Sequence, residues 1–147
     1  MKIFCRIFFN FLSLSHFMQK TMNILLASTS TLFGGDYLDY LTHEITQLFS
    51  GIDEILFIPF ARPSGITHEE YTEKVREFFS SLGIRVKGLH EFDDKARAVD
   101  EAKGFFTGGG NTFLLVKTLH EEDLMEVLKK NVEKGKRYLG TSAGSNI

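Results

Sequence analysis

A chain of 147 residues, 43% hydrophobic and 24% charged, has the balance of one globular domain. Its formal net charge of −2 offers no basic excess to attract nucleic acid, and its one cysteine, Cys5, rules out an internal disulfide framework or a cysteine-based zinc cluster. The first 21 residues stand apart, with Lys2, Arg6 and Lys20 but no acidic residue. The apolar run from Ile7 to Phe17 imitates a secretory signal, but Asn10, Ser13, Ser15 and His16 interrupt it and no small-residue cleavage site follows. It is also too short and too polar to span a bilayer, so no stable membrane association is expected. Three readings stay open: an upstream extension of a gene that starts at Met22, a poorly matched signal peptide, or a genuine N-terminal appendage. The first is preferred, because Met22 opens a well-formed strand pattern.

From Met22 to Ile147 short apolar runs alternate with amphipathic stretches. Asn23–Ser28 reads as a strand. Asp36–Phe49 reads as a helix capped by Asp36, with Leu38, Leu41, Ile45, Leu48 and Phe49 on one face. Glu54–Pro59 is apolar enough for a strand buried on both faces, closed by Pro59 and Pro63. Thr67 to Glu70 has the capping-box pattern, and the helix it opens turns Tyr71, Val75, Phe78, Phe79 and Leu82 inward until Gly83 stops it. Strands are expected at Ile84–Leu89, Lys103–Thr107 and Arg137–Thr141. Helices are expected at Asp93–Ala102, Thr112–Leu119 and Glu121–Glu133. This β/α alternation predicts a doubly wound α/β sandwich, with a mostly parallel sheet and helices on both faces. In such folds ligands bind at the carboxyl ends of the strands.

Two motifs fall at those ends. Gly140-Thr141-Ser142-Ala143-Gly144 fits G-x-S-x-G, in which a serine sits on a strained strand-to-helix turn between small residues. The pentapeptide is a weak signal by itself, and an ordinary glycine-rich loop would look the same. Its place directly after a predicted strand strengthens it. Gly108-Gly109-Gly110-Asn111-Thr112 ends the preceding strand. Glycines let backbone amides approach a ligand closely, so this run and the Ala143 amide are candidate oxyanion donors. Asn111 or Thr112 would cap the next helix. A tight turn or a phosphate cradle remains the alternative, although neither the P-loop nor the dinucleotide-binding glycine pattern is satisfied.

The runs FFTGGGNTFLLVKTL and YLGTSAGSN, with MNILLASTSTLFGGDYLDY and ILFIPFA, resemble the peptidase E (aspartyl dipeptidase) family, serine peptidase family S51. The resemblance covers essentially all of residues 22–147. It implies a fold like the class I glutamine amidotransferases, with serine in place of their cysteine. It further implies cytoplasmic hydrolysis of dipeptides that begin with aspartate, with a small peptide as the partner and no metal or other cofactor. Ser142 matches the family nucleophile. Gly108, Gly109, Gly110 and Ala143 match the region that supplies oxyanion-hole amides, and Asn111 matches the family's GGGN pattern without an assigned chemical role. A cyanophycinase-like hydrolase on the same fold, or a ligand-binding pseudoenzyme, is the alternative.

A serine hydroxyl needs a base to accept its proton. The resemblance places that histidine and its acidic partner after the serine, where only Ala143, Gly144, Ser145, Asn146 and Ile147 follow. The expectation is therefore a truncated or frameshifted gene product, or one piece of a split gene with a complementary C-terminal fragment as its candidate partner; alone the chain is expected to be inactive and poorly soluble, and unable to form its elbow turn. His43, His68 and His120 are expected on solvated helix faces or between helices. His90, after the third strand, is the one upstream histidine placed to face the carboxyl edge, although a surface role fits it better. A substrate aspartate calls for a cation, and Arg62, in a loop after a strand, is the candidate, weighed against a solvated loop role.

Overall fold

The computed structural model describes residues 4–7, 22–62 and 65–147. Six strands form one sheet: β1 (Phe4–Ile7), β2 (Asn23–Ala27), β3 (Glu54–Ile58), β4 (Arg85–Gly88), β5 (Gly104–Thr107) and β6 (Arg137–Thr141), in spatial order β1-β2-β6-β5-β3-β4. β2 to β6 are mutually parallel, and β1 pairs antiparallel with β2 at one edge. The apolar run of Ile7–Phe17 and the proposed stop at Pro63 fall outside the described residues, apart from Ile7 itself at the end of β1.

Among the described residues five helices connect the strands: α1 (Thr42–Leu48), α2 (His68–Ser80), α3 (Lys95–Glu101), α4 (Thr112–Glu121) and α5 (Met125–Glu133). The chain moves outward from β2 to β3 and β4, then returns through β5 to β6. With right-handed crossovers this reversal puts α1 and α2 on one face and α3, α4 and α5 on the other. The core divides accordingly. Leu25, Leu139, Phe106 and Phe57 lie side by side in register and pack under Ile45, Tyr71, Val75 and Phe79. On the opposite face Tyr138, Phe105 and Leu56 form the matching row, under Val99, Leu115, Leu119 and Leu128. Both rows are buried because the strands are covered twice, which explains the unbroken apolar runs at Glu54–Ile58 and Gly104–Thr107.

Local signals set most helix ends. Thr67 accepts the Glu70 amide at 3.1 Å and Glu70 accepts the Thr67 amide at 2.6 Å, so the capping box of α2 is complete. Asp94 caps α3 through the Arg97 amide, and Asn111 caps α4 through the Leu114 amide. The expected helix from Asp36 is corrected. Leu38 takes a left-handed backbone (φ 58°), a single 3-10 turn spans Asp39–Leu41, and α1 begins only at Thr42, so Asp36 caps nothing. Full burial of Leu38 and its amide bond to the Ser30 carbonyl, at 2.7 Å, outweigh a continuous helix.

Two glycines set how closely the chain folds on itself at the carboxyl edge. Gly110 has φ +148°, and a Cβ there would run into the Ala61 carbonyl. Gly144 lies against the Thr107 carbonyl in the same way. Gly144→Ala should destabilise the fold by about 1–3 kcal/mol through overpacking against rigid backbone, read as a lower urea midpoint. Thr67→Ala should cost about 1 kcal/mol by removing the α2 cap, measured the same way, with an unchanged m-value.

Candidate active site

β6 lies between β2 and β5, so its carboxyl end is at the centre of the sheet. Ser142 follows it with φ +50°, one of three non-glycine residues with positive φ among the described residues. That conformation costs a residue with a Cβ energy and places the hydroxyl at the tip of the turn. A 3-10 turn over Ser142–Ser145 continues the chain. Here the structure corrects an expectation: the elbow turn forms within this chain. The Tyr138 hydroxyl donates to the Gly144 carbonyl at 2.6 Å. The Ser145 hydroxyl lies 2.7 Å from the Gly140 carbonyl and 2.8 Å from that of Ala27. These bonds tie the turn to β6 and to β2. Burial raises the Tyr138 phenol well above its ordinary range, so it stays a donor.

The glycine run lies directly beside this turn. A Cβ on Gly109 would sit 3.0 Å from the Ser142 Cβ and 3.6 Å from its Oγ. The three glycine amides differ in availability, which the sequence did not reveal. The Gly108 amide donates to the Ile58 carbonyl at 3.3 Å, extending the β3–β5 ladder. The Gly109 amide donates to the Tyr71 hydroxyl at 3.0 Å. The Gly110 and Ala143 amides have no partner among the described residues. The expectation that the whole Gly108–Gly110 run offers amides therefore narrows to Gly110, with Ala143. Asn111 is committed to capping α4, and its own amide donates to the Ala61 carbonyl at 2.6 Å.

Tyr71 is the residue the sequence reading missed. Its spacing marked it as one of the inward residues of α2, and it is indeed fully buried, edge-on to Phe57 at 5.0 Å. Its hydroxyl nevertheless reaches across to the glycine run. Arg62 is placed beside it, with its guanidinium carbon 4.8 Å from the Tyr71 ring centre.

No histidine joins Ser142 among the described residues, and the Ser142 hydroxyl makes no hydrogen bond there. His90 follows β4, three strands from β6, which is roughly 14 Å at ordinary strand spacing. It packs against His68 and bonds Glu69 through Nε2 at 3.1 Å. His68 is half-buried against Phe60 rather than solvated, and burial lowers its pKa. Ligand atoms of Glu69, His90 and Glu91 lie within 4.8 Å of one another. Arg76 already bonds both carboxylates, to Glu69 at 2.9 Å and more closely to Glu91, so their oxygens are engaged in an ion-pair network. Among the described residues, no helix is long and apolar enough to cross a membrane.

Comparisons with known proteins agree with this geometry. Residues 24–147 match peptidase family S51. A "Probable alpha-aspartyl dipeptidase" of Drosophila melanogaster is 37% identical over 133 residues, covering 88% of this chain and 54% of that protein. Peptidase E of Shewanella amazonensis is 43% identical over 128 residues, covering 86% and 54%. A structure designated peptidase E, from Listeria monocytogenes EGD-e, superposes with a TM-score of 0.64 at 25% identity, over 84% of this chain and 59% of that one. A peptidase from an acI-B1 Actinobacterium shares the fold, with a TM-score of 0.66 over 84% of this chain and 55% of its own. The chain thus spans about half the length of the curated relatives it matches. From the match across residues 24–147, the chain belongs to peptidase family S51.

Proposed function

We propose that this chain carries the nucleophile of a serine-type dipeptidase that acts on dipeptides with an N-terminal aspartate. The observation that carries the reading is Ser142 at φ +50° on the central strand, with the unbonded amides of Gly110 and Ala143 beside it. In the proposed reaction the Ser142 oxygen attacks the scissile carbonyl and its proton passes to a base. The two amides hold the oxyanion, the amine leaves with a proton, and water then hydrolyses the acyl-serine. The names of the relatives support the substrate class. The family resemblance implies a cytoplasmic site of action, and among the described residues no helix is long and apolar enough to cross a membrane.

The base is the missing part. With no proton acceptor on Ser142 among the described residues, the reading assigns the histidine and its acidic partner to a complementary C-terminal segment. An apolar groove of about 260 Å³ supports this. It lies on the face of β2 beside α5 and is lined by Ile24, Leu26, Met125, Leu128 and Ile147. No described helix covers that part of the sheet, and an amphipathic segment would bury it. The uncoupled Ser142 hydroxyl also favours a second reading, in which the isolated chain binds peptides without turning them over.

The isolated chain should not hydrolyse Asp-Leu. Co-expression with the C-terminal half of a peptidase E relative should give hydrolysis that Ser142→Ala lowers by about 10⁴-fold or more. Hydrolysis that survives Ser142→Ala would sink the assignment.

A further inference from the structure

Each glycine of the run after β5 makes room for a different neighbour. A Cβ on Gly108 would lie 2.5 Å from the Tyr71 hydroxyl, one on Gly109 would lie 3.0 Å from the Ser142 Cβ, and one on Gly110 would strike the Ala61 carbonyl. Through the opening at Gly108 the phenol of α2 reaches Gly109 and contacts it twice. The Tyr71 oxygen accepts the Gly109 amide at 3.0 Å, and its O–H donates to the Gly109 carbonyl at a long 3.4 Å. The ring has little freedom of its own. It is fully buried, edge-on to Phe57, with the Arg62 guanidinium over its face.

The Gly109 carbonyl and the Gly110 amide belong to one peptide plane, and in a trans peptide they point in opposite directions. A phenol that holds the carbonyl towards α2 therefore turns the Gly110 N–H away from α2. That amide is exposed and unbonded among the described residues, whereas the amides of Gly108, Gly109 and Asn111 are taken by Ile58, Tyr71 and Ala61. Glycine has more backbone freedom than any other residue, so three in a row can turn their peptide planes at little steric cost. An oxyanion donor contributes most when its direction is set before the reaction, because it then needs no reorganisation as charge develops. The run therefore needs a tether from outside itself. Tyr71 supplies one to the peptide that carries the Gly110 N–H.

We infer that Tyr71 is a positioning residue for the proposed hydrolysis: its hydroxyl locks the Gly109–Gly110 peptide so that the Gly110 amide stays free for the oxyanion formed when Ser142 attacks. The inference rests on the peptidase reading of Ser142 and deepens it. In this role Tyr71 does not touch the reacting atoms. It acts through the glycine run, and Gly108 is the clearance that lets it do so. Its effect belongs to the transition state, where the carbonyl oxygen becomes charged, and not to the binding of the dipeptide.

Kinetics of Asp-Leu hydrolysis by the chain co-expressed with the C-terminal half of a peptidase E relative test this. Tyr71→Phe keeps the ring and removes only the hydroxyl. It should lower kcat about tenfold or more and leave KM within about twofold, as expected when a donor engaged only in the transition state is lost. Gly108→Ala closes the opening and should give the same split. The double variant should be no slower than the slower single one, because both changes remove the same contact. Thermal melts check that each variant is folded. Amide hydrogen exchange of the wild-type chain needs no variant: it should be slow at Gly109 and fast at Gly110, and it decides the matter where a variant fails to fold. An unchanged kcat in Tyr71→Phe, a rise in KM with kcat preserved, additive losses in the double variant, or Gly109 exchanging as fast as Gly110 would each overturn the inference. Failure of the peptidase reading is distinguishable. The wild-type pair would then lack Asp-Leu hydrolysis while the exchange pattern persisted, and the inference would fall with that reading.

Discussion

At the carboxyl edge of the sheet, main chain rests on main chain with no side chain between. Gly110 presses on the Ala61 carbonyl and Gly144 on that of Thr107. Each contact occupies the space that a Cβ would need. These approaches draw the loop after β3, the glycine run after β5 and the turn after β6 into one small volume. Ser142 is held at a positive φ because the turn around it is fixed on both sides, by Tyr138 and Ser145 from below and by the glycine run from above. Strain of this kind persists only where the surroundings over-determine the backbone. Without the glycines the three loops would separate, and the serine and its neighbouring amides would no longer share a site.

Much of the architecture was legible because it rests on local chemistry. The capping box at Thr67, the stop at Gly83 and the two-faced apolar strands each follow from a few adjacent residues, and the structure reproduces them. The elements that were misread depend on contacts distant in sequence. Leu38 breaks the expected helix because it is buried whole and tied to Ser30. The strand Phe4–Ile7 within the leader gains its meaning only from pairing with β2.

The same division runs through the site. Ser142 and its glycine neighbours were readable as a pattern, since the turn needs those residue types at that spacing. Which amides remain available was not readable. That depends on the Ile58 carbonyl and on Tyr71, 38 residues upstream of Gly109. Tyr71 carries a double signal. Its ring fits the apolar stripe of α2, and nothing in the spacing tells that its hydroxyl emerges at the glycine run. His90 was placed correctly at the end of its strand, but the strand order, which sequence does not disclose, sets it three strands away from the serine. It serves a surface network with Glu69, Arg76 and Glu91 instead.

Among the described residues the site joins a formed nucleophile turn to the unbonded amides of Gly110 and Ala143. The central claim is that backbone packing around the glycines presents Ser142 as the nucleophile. Peptide-mapping mass spectrometry after fluorophosphonate treatment tests it most directly, on the chain co-expressed with the C-terminal half of a peptidase E relative. The account predicts one phosphonyl adduct, on Ser142, that disappears when Gly110→Ala lifts the loop off Ala61. An adduct on another residue, or an undiminished Ser142 adduct in the Gly110→Ala protein, would contradict it.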